Sequence, residues 1–310
     1  MRTVSALAFA VVFPLVAVAC GLDDGTVSIL DGSRTGTDAG KHDDAGHPIL
    51  SDGGPVGDDG SAPSDSGDPP DVATPPDKPL VWAASATDLY SLEVTTGKLV
   101  KRGTFACGGQ NPLALAVDPA GALLALTSTP DGDRYLVDLS VVATCSAPRK
   151  MDSKSSLALA FQGSGVSANL FALRSNSKDL ELVQRATGND DTFQSNVLPH
   201  DAAGDFTCSG ATCWVVGTAG SCMTAPPTGS SCLGQLTIGA STASYTELGS
   251  FPIARIGGIA YHGGNIYLFS GATGVVSVLN ITTLATTPIA TIGDPPPPAW
   301  VGAGSSSSYP

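Results

Sequence analysis

Apolar residues in the second half of this chain fall into short runs of four to seven, not into stripes of helical period. From about Lys78 onward the runs alternate with polar residues or stand unbroken, and each is closed by Gly, Asp, Asn or Pro. That punctuation predicts strands and tight turns. Gly, Ser and Thr dominate the intervening positions, and no stretch offers a sustained helical face. The pattern predicts an all-β domain over residues 78–310.

Four segments repeat the same grammar of strand, tight turn and strand. They are "LALAVDPAGALLALTS" from Leu113, "LALAFQGSGVSANLFALRS" from Leu157, "GDFTCSGATCWVVG" from Gly204 and "GGIAYHGGNIYLFSG" from Gly257. Each is followed by two weaker runs, such as "RYLVDLS" then "VVATC", or "GVVSVLNITT" then "TPIATIG". Four strands at a period in the forties to fifties is the signature of a β-propeller blade. Before the first repeat, "PLVWAASATDLYSLEVTTGKLVKRGTF" supplies three strands, with turns near Ser85–Asp88 and Thr95–Gly97 and no opening inner strand. After the prolines at 295–298, "AWVGAG" supplies one strand. Pairing Ala299–Gly304 with the first three completes a fifth blade and leaves the ring without an open edge. The expectation is therefore five blades of four strands, with a pair of β-sandwiches as the alternative. The resemblance is to β-propellers in general over residues 78–305, without the Trp-Asp dipeptides of one repeat class or the double glycines of another.

The N-terminus follows different rules. Arg2 precedes an uncharged apolar run from Val4 to Ala19, interrupted by Pro14. This is the layout of a signal peptide and is short for a bilayer-spanning helix. Ala17, Val18 and Ala19 lead into Cys20. The pattern resembles the lipobox of bacterial lipoproteins, although Ala17 stands where Leu is usual. The resemblance implies cleavage after residue 19, a diacylglyceryl group on the Cys20 sulfur, and membrane attachment through that lipid. Gly21 after the cysteine implies the outer membrane. Several buried acyl methylenes, at about 0.8 kcal/mol each, make such an anchor stable.

Residues 21–77 hold thirteen Asp, eleven Gly, seven Pro and six Ser, and no aromatic residue. Such a composition buries too little apolar surface to offset ordering entropy, so residues 20–77 read as a lipidated Cys followed by a disordered acidic tether. It resembles the Asp-Ala-Gly and Asp-Gly-Gly spacers of some Gram-negative lipoproteins. It lacks the fixed period of calcium-binding arrays. Most of the chain's charge sits here, with thirteen Asp against Arg34 and Lys41, while residues 78–310 carry only fifteen acids and twelve bases. Nucleic acid is excluded as a partner because no basic stripe exists to neutralise phosphates.

Seven cysteines are present, and Cys20 is the odd one. The other six suit disulfides in an exported chain. Proximity suggests Cys208–Cys213 across "CSGATC", Cys222–Cys232 across "CMTAPPTGSSC", and by remainder Cys107–Cys145 between consecutive blades. Neither paired CxxC nor Cys with His at zinc spacing occurs.

Candidate chemistry is thin. Sugar cleavage needs two carboxylates about 5–9.5 Å apart. Asp118 follows one inner strand and Asp205 precedes another, which puts them at opposite ends of a channel. Asp118 before Pro119 reads as a turn former. His200 and His262 read as surface residues. Pro130–Asp133 reads as a hairpin loop with a weak likeness to a cation turn, Asn280–Thr282 as an incidental sequon, and Trp82, Trp214 and Trp300 as buried between blades. No catalytic set, metal site or cofactor motif emerges. The sequence points to a monomeric envelope lipoprotein that binds a protein or glycan, with a glycan or lactone hydrolase and a structural subunit of an envelope complex as alternatives.

Overall fold

The computed structural model describes residues 80–175, 177–199, 205–218, 222–291 and 299–305. The signal peptide, Cys20, the tether, His200 and the proline run lie outside them. The described chain forms twenty strands in five four-stranded antiparallel sheets, a five-bladed propeller.

Blade one contains β1 (Leu80–Ser85), β2 (Asp88–Glu93) and β3 (Lys98–Thr104), and its innermost strand is the last, β20 (Trp300–Gly304). Blade two runs β4 (Asn111–Val117), β5 (Leu123–Ser128), β6 (Arg134–Leu139) and β7 (Cys145–Lys150) from the axis outward. Blade three runs β8 (Ser156–Gln162), β9 (Asn169–Arg174), β10 (Leu180–Val183) and β11 (Asp190–Gln194). Blade four runs β12 (Phe206–Ser209), β13 (Thr212–Gly217), β14 (Ser231–Ile238) and β15 (Ala243–Phe251). Blade five runs β16 (Ile256–His262), β17 (Asn265–Ser270), β18 (Val275–Leu279) and β19 (Thr286–Thr291).

Burial follows radial position. The second strands, such as β5 with every residue buried, are apolar on both faces because a neighbouring blade covers each. Outermost strands such as β15 alternate exposed and half-buried residues. This gradient is why the inner hairpins were the visible repeats. Five apolar clusters fill the five gaps between blades. The one joining blade five to blade one contains Val81, Ala83, Phe269, Val276, Trp300 and Ala303. The ring is therefore closed by packing as well as by the β1–β20 ladder, in which Trp82 faces Gly304 and Ala84 faces Gly302.

Near the axis, backbones approach too closely for side chains. A Cβ at Gly257 would lie 1.8 Å from the Trp300 carbonyl oxygen, and one at Gly302 would lie 2.6 Å from the Leu115 nitrogen. Glycine is required at both positions by this contact between β16, β20 and β4.

Among the described residues three disulfides are present, and their pairing is the expected one: Cys107–Cys145, Cys208–Cys213 and Cys222–Cys232. The first closes a separation of 38 residues between blades one and two, worth about 4 kcal/mol in the chain-entropy model. Cys208 and Cys213 are direct register partners of a hairpin, so the ladder already closes most of that loop.

One strand starts later than expected. "VVATC" reads as the outer strand of blade two, yet that strand begins at Cys145. Val141 and Val142 occupy the turn and are 49 % and 60 % exposed. Ala143 has a φ of 67°, which breaks the extended run. Cys145 therefore opens the outer strand of its blade, while Cys107 follows the outer strand of the previous one.

Candidate functional site: the channel axis and its lower mouth

All five inner strands run in the same direction. Connections between strands therefore fall into two sets, one on the upper face where inner strands begin and one on the lower face where they end. A small cavity on the axis is lined by residues 115–117, 159–161, 206–208 and 303–305. Its volume is about 10 Å³, room for roughly one water molecule.

Asp205 stands above β12 and is buried. Its Oδ1 accepts the Phe206 N–H at 2.9 Å. Its Oδ2 accepts the Ile259 N–H of blade five at 3.0 Å and the Ala303 N–H of blade one at 3.3 Å. One carboxyl group thus joins three blades around the axis. Burial pushes its pKa up to about 8, against the opposing pull of the three N–H donors. Close by, the Tyr261 N–H donates to Thr207 Oγ1 at 3.1 Å, and the Ser305 hydroxyl donates to the Tyr261 carbonyl.

Asp118 lies below β4 and has quite different partners. Its Oδ1 accepts the Ala122 N–H at 2.7 Å, which makes it the turn former expected. Its Oδ2 accepts from Arg185 Nη1, also at 2.7 Å. The two aspartates share no partner, consistent with their placement at opposite ends.

A third acidic group belongs to blade three. Glu181 is fully buried, pairs with Arg174 and accepts the Ser156 hydroxyl at 3.1 Å. Asp190 accepts the Asp152 and Ser153 N–H groups at 2.8 and 3.0 Å. Burial first, and the neighbouring Asp190 charge second, push the Glu181 carboxyl upward.

The remaining candidates fall as follows. His262 is buried at 7 % exposure, which corrects the surface placement read from its turn-like context. It ends β16 inside the sheet, and burial lowers its pKa. Asp133 forms ion pairs with Lys150 and Lys154 that hold its carboxyl down at about 2. Among the described residues no acidic, His or Cys cluster has metal-binding geometry. Asn280 Oδ1 accepts the Thr282 and Thr283 N–H groups and so shapes a turn. Trp82, Trp214 and Trp300 are buried as expected. Trp214 stacks on Tyr261 with ring centres 4.5 Å apart. Arg185 and the Glu181–Asp190 group were not found from the sequence, because their partners are distant along the chain and no local motif marks them.

The fold and axis define a five-bladed β-propeller with a nearly filled channel. No known protein family matches the chain, and no curated protein matches it. Among solved structures it is similar to a chain of the nidogen/laminin complex, at 9 % identity and a TM-score of 0.51, covering 74 % of this chain and 99 % of that one. It also matches a protein of unknown function from Bacteroides caccae, at 9 % identity and a TM-score of 0.38, over 73 % and 98 % of the two chains. The first likeness shows the fold alone.

Proposed function

We propose that this chain is a surface-tethered binding or scaffolding lipoprotein of a bacterial envelope, holding a protein or glycan on a propeller face. The observation that carries this reading is the state of the axis. Asp205 is engaged by three backbone donors, and the space beside it fits one water, not a sugar ring. A hydrolase working in the channel would need room and two converging carboxylates there. The nidogen/laminin structure is that of a protein complex, and a binding role agrees with it. Lipidation of Cys20 and a spacer of 57 residues would complete the design, because a coil of that length spans about 40–45 Å and leaves both faces within reach of a ligand.

The test has two parts. Fractionation of cells should find the parent chain in the membrane and Cys20→Ser in the soluble fraction. Purified protein offered a polysaccharide panel and solubilised envelope material should retain a ligand without product forming. Turnover that Asp118→Asn abolishes would instead establish the hydrolase reading, and membrane partitioning unchanged in Cys20→Ser would remove the lipid anchor.

A further inference from the structure

We infer that β15, the outer strand of blade four, is a dimerisation edge: it pairs antiparallel with β15 of a second copy of this chain, with Thr246 on the two-fold axis. The inference goes beyond the binding reading above and adds a partner where the sequence reading expected a monomer.

Each blade ends in an outer strand whose far edge has no neighbour in its own sheet. Such an edge is a template for another strand unless charge, proline or shortness guards it. Four of the five are guarded. β3 carries Lys98, Lys101 and Arg102. β7 and β19 contain Pro148 and Pro288, each of which removes an N–H. β11 is five residues long and opens on two aspartates. β15 is nine residues long, has no proline and no basic residue, and carries a single charge, Glu247. Its exposed positions are Ser244, Thr246, Leu248 and Ser250. Leu248 is one of four exposed large apolar side chains among the described residues.

The free groups of this edge can be placed. The Ile238 N–H, opposite Ala243, is turned away to the Ala211 carbonyl. Both the N–H and the C=O of Ala243 are held by the side-chain amide of Gln194. Ala243 therefore faces outward, and by the alternation of an antiparallel ladder so do Tyr245 and Glu247. A bulge at Leu248 ends the regular stretch. Among the described residues nothing outside the β14–β15 ladder bonds the backbone of Ser244–Ser250. The edge thus offers the N–H and C=O of Tyr245 and of Glu247.

Those positions select the partner and the register. A second copy brings the same groups, and outward residues must meet outward residues about the two-fold axis. An axis at Glu247 would set that carboxylate directly against its twin, which like charge opposes. An axis at Tyr245 would set Glu247 against Ala243, whose backbone Gln194 has closed. An axis at Thr246 sets Tyr245 against Glu247 on both sides, and every free group is satisfied. Thr246 then faces Thr246, a favourable cross-strand pair, and Ser244 faces Leu248 and covers it. This self-match is what favours a second copy over an unrelated strand. The Glu247 carboxylate already accepts from Met223 and Thr224 in its own copy, so the pairing strips no free charge.

The test uses the full-length chain carrying Cys20→Ser, so that no odd thiol remains. Residues facing each other in a non-hydrogen-bonded antiparallel pair have Cα atoms about 4.5 Å apart, within the span of a disulfide. Thr246→Cys should therefore form a covalent dimer on mild oxidation. Ser244→Cys and Ser250→Cys lie off the axis and should give about tenfold less, or none. Sedimentation velocity without oxidation should show a reversible dimer that grows with concentration. Thr246→Lys, at an exposed position, sets like charges on the axis and should leave only monomer with an unchanged melting temperature. The inference is overturned if the parent sediments as a monomer at every concentration, if Thr246→Lys still dimerises, or if Ser244→Cys or Ser250→Cys cross-links as well as Thr246→Cys. A monomeric parent whose Tyr245 and Glu247 amides exchange more slowly once envelope material is added would assign the edge to a foreign strand. That result too would overturn the second copy, and it would leave the binding reading standing.

Discussion

Deletion of residues 299–310 will abolish cooperative unfolding of the whole domain, not trim one blade. Strand β20 is the inner strand of blade one, and it packs against β4 and β16 across contacts that admit only glycine at 257 and 302. Trp300 is 4 % exposed and lies edge-on to both Tyr90 and Phe269, with ring centres 5.2 and 5.1 Å away. Removing the strand opens an apolar gap at the axis and leaves the inner edge of β1 unpaired. Truncation of Trp300 to Ala alone should cost about 3–5 kcal/mol. The full deletion exceeds that, in a domain whose net stability is expected at about 5–15 kcal/mol. Thermal unfolding followed by near-ultraviolet circular dichroism will show a sharp transition for the parent and none for the deletion. A normal melt of the deleted chain would refute closure of the ring by β20.

The second large effect is a pH dependence centred on Asp205. Its folded pKa is raised to about 8 by burial, above an ordinary value of 3.8. The folded state therefore holds a proton that the unfolded state releases between those values. By linkage, this contribution is fully present below about pH 4 and is lost as pH rises through 8. The full loss would be of order 5 kcal/mol. Urea midpoints measured from pH 5 to 9 should fall for the parent more steeply than for Asp205→Asn, which cannot ionise. His262, lowered by burial, adds a slope of the opposite sign below its ordinary value of 6.5, common to both proteins. The difference between parent and variant isolates Asp205. Parallel curves would mean that its carboxyl is not held protonated. Asp205→Ala, by contrast, leaves three buried N–H groups unpaired and should destabilise at every pH, by about 3 kcal/mol or more.

Much of the fold was readable in the sequence because propeller blades bury their inner hairpins on both faces. That geometry forces long unbroken apolar runs at Leu113, Leu157 and Gly257, and regular spacing reveals them. The closing strand was readable because the first blade visibly lacked an inner partner. Cysteine pairing was readable because two of the three pairs close short loops. The β-branched Val141 and Val142 misled, since a strand propensity does not report whether a turn residue such as Ala143 intervenes. His262 misled because a glycine-flanked histidine resembles a turn residue whether or not its own side chain is covered. The site itself was largely hidden. Asp205 reaches donors 54 and 98 residues away, and Arg185 meets Asp118 across 67 residues. Such meetings are set by blade order, not by local pattern.

The most direct test of a closed ring stapled at its axis is amide hydrogen exchange at Ile259 and Ala303. These two N–H groups belong to different blades and share one oxygen of Asp205. Both should exchange only through global unfolding, at the same free energy as the most protected amides of β5, and both should lose protection in Asp205→Ala. Rapid exchange at Ala303, with β5 still protected, would mean that the last strand frays independently and that the ring is not closed in solution.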